Sequence, residues 1–254
     1  NPGFNDSSWK TGNNGIGYQS SVPGFSVKFV KSNISVGQLT TAETVLINPD
    51  RQSRVVNEIA PNLNYFETGS LGRFGNDRPF PGGKTGVDVN DYVVEAKATV
   101  RIPSAGQWTF GVSSDDGFRL DVGNFTFSFP NPRAPADSFA TFNFTSAGDY
   151  DLRLIYYERG GGVELELFAL KGSFNSWNNL FRLVGDTGKG GLAVSTADGS
   201  AGQTESGNSE FLNTDIFGEM YQKQSSVYLR LPFEVSSPSL IQSLTLRMRY
   251  TDGF

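Results

Sequence analysis

An all-β protein of antiparallel strands is what this sequence predicts, and three observations carry that prediction. Apolar residues recur at every second position in segment after segment, the period of a strand with one dry face and one wet face. Glycine, with 30 copies, gathers with Ser, Asn and Asp between those segments, as tight turns require. Phenylalanine reaches 21 copies against 2 of Met, a mixture that favours strands over helices.

Along the chain, one short helix is expected at about 40–46. Residues 64–86, which contain Pro79-Phe80-Pro81-Gly82-Gly83, read as a loop. Val94, Ala96, Ala98, Val100 and Ile102 then share one strand face, with Glu95, Lys97, Thr99 and Arg101 on the other. Pro103-Ser104-Ala105-Gly106 turns the chain into Trp108-Thr109-Phe110-Gly111-Val112, whose Trp108 and Phe110 are expected in the core. A second turn, Thr145-Ser146-Ala147-Gly148, precedes Tyr150, Leu152, Leu154 and Tyr156. After Gly160-Gly161-Gly162, residues 163–167 alternate again, with Glu164 and Glu166 expected on a solvated face. Residues 185–209 are rich in Gly, Ser, Thr and Asp and read as a long loop or linker. Val227, Leu229, Leu231, Phe233 and Val235, then Leu244, Leu246, Met248 and Tyr250, continue the strand pattern. Trp9 and Trp177 are expected to pack against neighbours rather than stack on sugar rings.

Composition excludes several chemistries. Lys and Arg number 21 against 26 Asp and Glu, a net charge of −5, so no surplus of cations exists to displace counterions from a nucleic acid. The chain has no Cys and no His. Disulfides, thiol nucleophiles, iron–sulfur clusters, Ser-His-Asp triads and His-based metal sites are therefore ruled out. A metal held here must be bound by oxygen, which leaves calcium, magnesium or manganese. No apolar run approaches the length that spans a bilayer, so membrane insertion is not expected. Both ends read as cuts, and the chain is expected to be a piece of a longer protein.

The most informative local feature is Ser113-Ser114-Asp115-Asp116-Gly117-Phe118-Arg119-Leu120. Adjacent carboxylates at a strand end repel each other unless solvent or a cation offsets the charge. A second loop, Tyr157-Glu158-Arg159-Gly160-Gly161-Gly162, offers one more carboxylate and glycine carbonyls that a hard cation can approach. From the residues alone, a solvated hairpin turn and an oxygen-ligand metal site both remain open. Arg159 reads equally as a surface residue or as a donor to a ligand hydroxyl or carboxylate. Neither Glu164 nor Glu166 has an evident partner carboxylate on an opposing wall, so catalysis is not expected.

Residues 86–94 (Gly-Val-Asp-Val-Asn-Asp-Tyr-Val-Val), 102–110 (Ile-Pro-Ser-Ala-Gly-Gln-Trp-Thr-Phe) and 114–120, followed in order by 147–165, resemble the protective-antigen N-terminal domain family. That family is the PA14-type β-sandwich, also found in yeast flocculins, bacterial glycosidases and bacterial adhesins. The resemblance covers residues 24–193. It implies that Asp115 and Asp116, joined by a cis peptide, ligate calcium, which in lectin members binds sugar hydroxyls directly. It also aligns Glu158 to Gly162 with the second calcium loop, with Glu158 where flocculins carry an Asn. Expected metal ligands are thus Asp115, Asp116, Glu158, Gly160 and Gly161, and expected sugar contacts are Asp115, Asp116, Arg159 and Gly162.

The chain ends resemble a galactose-binding-like jelly roll of large bacterial surface proteins, on residues 4–18, 226–235 and 243–254. The expected organisation is therefore residues 1–23 as the first part of a jelly-roll module, 24–193 as the sandwich, 194–209 as a linker, and 210–254 as the incomplete second part. Unpaired edges of such a module are expected to favour self-association. The functional expectation is a non-enzymatic, extracellular or cell-surface module of a bacterial protein that binds glycan through calcium. The alternatives are a structural spacer or self-assembly domain and an ancillary domain of a glycoside hydrolase.

Overall fold

The computed structural model describes residues 16–17, 21–69, 72–197 and 214–215. The chain divides into two compact units, residues 1–18 with 208–254, and residues 19–207. Strand β1 (Ile16–Gly17) lies in the first of these.

The larger unit runs β2 (Ser21–Pro23), β3 (Phe25–Ser32), α1 (Leu39–Ile47), β4 (Gln52–Ala60), β5 (Asn64–Phe66), β6 (Tyr92–Ile102), β7 (Gly106–Asp115) and β8 (Phe118–Val122). It continues with β9 (Phe125–Phe129), β10 (Ala136–Phe144), β11 (Gly148–Glu158), β12 (Glu164–Lys171), β13 (Arg182–Leu183) and β14 (Val194–Ala197). Two sheets result. An eight-stranded sheet has the order β2-β14-β6-β11-β8-β9, with β3 also on β6 and β4 on β3; a five-stranded sheet has the order β10-β7-β12-β13, with β5 on β12. Each pairing within these two sheets is antiparallel. In the smaller unit, β1 pairs in parallel with β15 (Thr214–Asp215). The jelly-roll reading, Trp9 and the alternating segments 227–235 and 244–250 otherwise lie outside the described residues.

Period-two alternation sets which residues fill the space between the sheets. Val94, Ala96, Ala98, Val100 and Ile102 of β6 meet Leu152, Leu154 and Tyr156 of β11 and Trp108, Phe110 and Val112 of β7 in one core. The Phe-rich strands β9 and β10 close one edge of the sandwich, where Phe125 stacks on Phe142 at 4.9 Å and 7°. Such a pair adds about 0.5–1.5 kcal/mol beyond the area it buries. On the other side of the eight-stranded sheet, Leu39, Ala42, Val45 and Leu46 of α1 cover Val30, Val93, Ile155 and Tyr157. The helix extends one residue beyond the expected span at each end, and Leu39 at its start belongs to the buried stripe.

Three sequence expectations need correction. Glu164 and Glu166 are 2% and 1% exposed rather than solvated. They lie on the face of β12 away from the core, but the segment after β5 folds over that face and the amides of Arg73 and Phe74 donate to Glu166 at 2.7 and 2.8 Å. Residues 194–197, expected to start a linker, and 21–23, expected in the jelly roll, pair with each other, and β14 also joins β6. Within the expected loop 64–86, Asn64–Phe66 pairs with β12 and Tyr65 bridges Arg78. These strands are three or four residues long, too short for alternation to show, although Tyr65 and Val194 in them reach the core.

Candidate functional site

Strand β7 leaves the five-stranded sheet at Asp115, and Asp116 and Gly117 carry the chain across to β8 in the eight-stranded sheet. No side chain fits at residue 117: a Cβ there lies 2.6 Å from Tyr157 Cε1 and 2.7 Å from the Phe129 carbonyl oxygen. Strand β11 ends at the same place with Glu158, directly opposite Tyr92 of β6. Asp115, Asp116 and Glu158 each bring a carboxylate oxygen to within 4.8 Å of the other two. The Asp115–Asp116 peptide is cis, as the resemblance implies.

All three groups are buried, at 5%, 4% and 0% exposure. Withdrawal from water raises the Glu158 carboxyl to about 9, with Asp116 and Asp115 adding repulsion. Burial, then Asp116 and Glu164, raises Asp115 to about 7, against an opposing pull from Arg133. Asp116 is held by two amides: Arg133 N donates to Oδ1 at 2.9 Å and Arg159 N to Oδ2 at 2.8 Å. Glu158 Oε2 lies 3.0 Å from the Tyr156 hydroxyl, whereas its Oε1 is a buried acceptor without a hydrogen-bond donor.

The expected loop residues occupy the rim. Arg159, Gly160 and Gly161 are exposed. Gly161 sits at φ 117°, a backbone state that L side chains rarely adopt. Its carbonyl is 3.4 Å from Thr68 Oγ1. Gly162 is half-buried against Gly69, and a Cβ on it comes within 3.1 Å of the Gly69 Cα and 3.6 Å of Asp115 Oδ2. Of the residues singled out from sequence, the three carboxylates converge, Arg159 and Gly160 border them, and Gly162 provides close packing.

Sequence reasoning missed three supporting residues. Arg133 extends its guanidinium to the Ser114 carbonyl at 3.1 Å, Ser114 Oγ at 2.8 Å, Ser138 Oγ at 2.6 Å and the Ala136 carbonyl at 2.8 Å. It also lies over the rings of Phe129 and Phe118. Tyr156 donates toward the Asp115 carbonyl as well as Glu158. Glu164 stands opposite Asp115 across the β7–β12 ladder and takes a hydrogen bond from Ser113 Oγ at 2.8 Å. Tyr156 was legible as a same-face neighbour two residues before Glu158; no local signal marks Arg133.

The two antiparallel layers form a β-sandwich, with this acidic crossover between them. Residues 83–174 match the family model described as PA14 domain. No curated protein matches the chain in sequence. Among similar solved structures are the PA14 domain of MpAFP antifreeze protein, 17% identical with a TM-score of 0.48 over 61% of this chain and 87% of that one. Another is the PA14 sugar-binding domain from an RTX adhesin, 17% identical, TM-score 0.47, over 64% and 94%. A third is the A domain of epithelial adhesin 6 from Candida glabrata in complex with Galb1-3GlcNAc, 14% identical, TM-score 0.42, over 64% and 86%.

Proposed function

We propose that this protein is a calcium-dependent glycan-binding module of an extracellular or cell-surface protein. The observation that carries the reading is the convergence of Asp115, Asp116 and Glu158 in a buried position. Three carboxylates withdrawn from water cost free energy that a divalent cation offsets. The donor set suits a hard ion, since it is all oxygen and includes one buried carboxylate atom, Glu158 Oε1, with no donor of its own. Calcium takes about six to eight oxygens, more than three carboxylates supply singly, so main-chain carbonyls of the 160–161 loop and ligand hydroxyls are the natural remainder. The exposed Arg159 and Gly160 beside the cluster give a glycan a way to the ion. The match to the PA14 family over residues 83–174 supports the same assignment, on the role of the Asp pair in its lectin members.

Bound calcium supplies a Lewis-acidic centre for vicinal hydroxyls, and this chain's residues hold and shape it. Asp115, Asp116 and Glu158 provide charge. Arg133 and Arg159 fix Asp116 through their amides. The test is calorimetric titration of calcium into chelator-treated protein, followed by a glycan array with calcium and with chelator. Saturable heat that Asp116→Asn abolishes, with array signal only in calcium, supports the reading. Absence of calcium heat removes it, and a silent array with calcium bound reassigns the domain as a calcium-stiffened spacer.

A further inference from the structure

We propose that Tyr156 is the positioning residue of this centre: its hydroxyl holds Glu158 by Oε2, leaves Oε1 free for a cation, and so sets how tightly the protein binds a divalent ion. The inference rests on the calcium reading above and concerns what gives the site its strength.

Residues 156 and 158 of one strand project to the same face, so Tyr156 stands directly beneath Glu158. Its hydroxyl is fully buried and has two acceptors within reach, Glu158 Oε2 at 3.0 Å and the carbonyl of Asp115. A single proton is therefore shared between the β11 side and the β7 side of the site. The ring cannot swing away. It stacks on Phe80 at 5.5 Å and 14° and packs beside Tyr92 at 6.1 Å, with no exposure to solvent. A carboxylate held at one oxygen by a locked donor has little freedom left to lose on meeting an ion. The neighbouring Tyr157 is a built-in control. Its ring lies beside the Asp116–Gly117 crossover, but its hydroxyl bonds the Pro130 carbonyl at 3.0 Å and makes no hydrogen bond to the three carboxylates.

The experiment measures calcium affinity by calorimetry on the whole chain. Tyr156→Phe keeps the ring and removes only the hydroxyl; its affinity is expected to fall about 10–100-fold, the usual effect of removing an outer hydrogen-bond partner of a metal ligand. Tyr157→Phe is expected to stay within about twofold of the starting protein. In a Glu158→Gln background, adding Tyr156→Phe is expected to lose clearly less affinity than in the starting protein, the remainder being the share that runs through the Asp115 carbonyl. An equal loss in both backgrounds overturns the inference, as does undiminished binding by Tyr156→Phe. Without any substitution, the ring-carbon resonance of Tyr156 in tyrosine-labelled protein should move on calcium addition, and a resonance that stays put overturns the inference even if the variant does not fold. If the unsubstituted protein takes up no calcium, the calcium reading itself fails, a result distinct from binding that ignores Tyr156.

Discussion

Asp115 and Glu164 face each other across β7 and β12, two carboxylates in register on one sheet face, 5% and 2% exposed. The Glu164 carboxylate answers Ser113 with one oxygen and leaves the other without a donor. Its charge is one of the influences that raise Asp115.

Glu164→Gln keeps an acceptor for Ser113 and deletes that charge. In chelator at pH 8 the variant is expected to be more stable by about 1 kcal/mol, since a buried like-charge contact is relieved. Calcium affinity is expected to fall modestly, because the site loses negative potential. Paired urea titrations with and without calcium check both signs.

Acid titration follows from the same burial. Glu158 at about 9 and Asp115 at about 7 stand above their ordinary values of 4.5 and 3.8. The folded protein therefore holds more protons than the unfolded chain across that window, and its stability in chelator falls as pH rises from about 5 to 9. Calcium is expected to reverse the trend, because an ion taken up by the deprotonated carboxylates expels their protons. Melting temperatures at five pH values, with chelator and with calcium, should diverge as pH increases, and Glu158→Gln should flatten the chelator curve at its upper end.

Arg133 ties the end of β7 to the start of β10 through four acceptors. Arg133→Met removes those donors and is expected to cost about 2–3 kcal/mol in urea unfolding. Arg101→Met breaks the exposed pair with Asp149, whose side chains are 56% and 59% exposed, and should cost less than about 1 kcal/mol.

Gly117→Ala drives a methyl group into Tyr157 and the Phe129 carbonyl and should destabilise by about 1–3 kcal/mol. Gly75→Ala meets nothing within 4 Å and should stay within about 0.5 kcal/mol of the starting protein. The comparison of urea midpoints separates crowding from a general intolerance of Gly replacement.

Much of this architecture was legible in the sequence because alternation reports burial directly. Val94 to Ile102 and Leu152 to Tyr156 fell into the core as their period required. The Asp pair and Glu158 were legible too, as charges placed where strands end. What failed was any judgement about the second face of β12. Alternation marks Glu164 and Glu166 as facing away from the core, and it is silent on a loop that returns to cover them. Arg133 was hidden for a related reason: 17 residues separate it from Asp116, and only the folded sheets bring them together.

Asp115 belongs to one layer and Glu158 and Tyr156 to the other, so the hydroxyl already fastens the two sheets at that end. On the proposed calcium reading, occupancy there would add a second clasp. On that reading, a pull that peels the layers apart is expected to meet its resistance at this corner, and the mechanical toughness of the domain would follow the surrounding salt as well as the polypeptide.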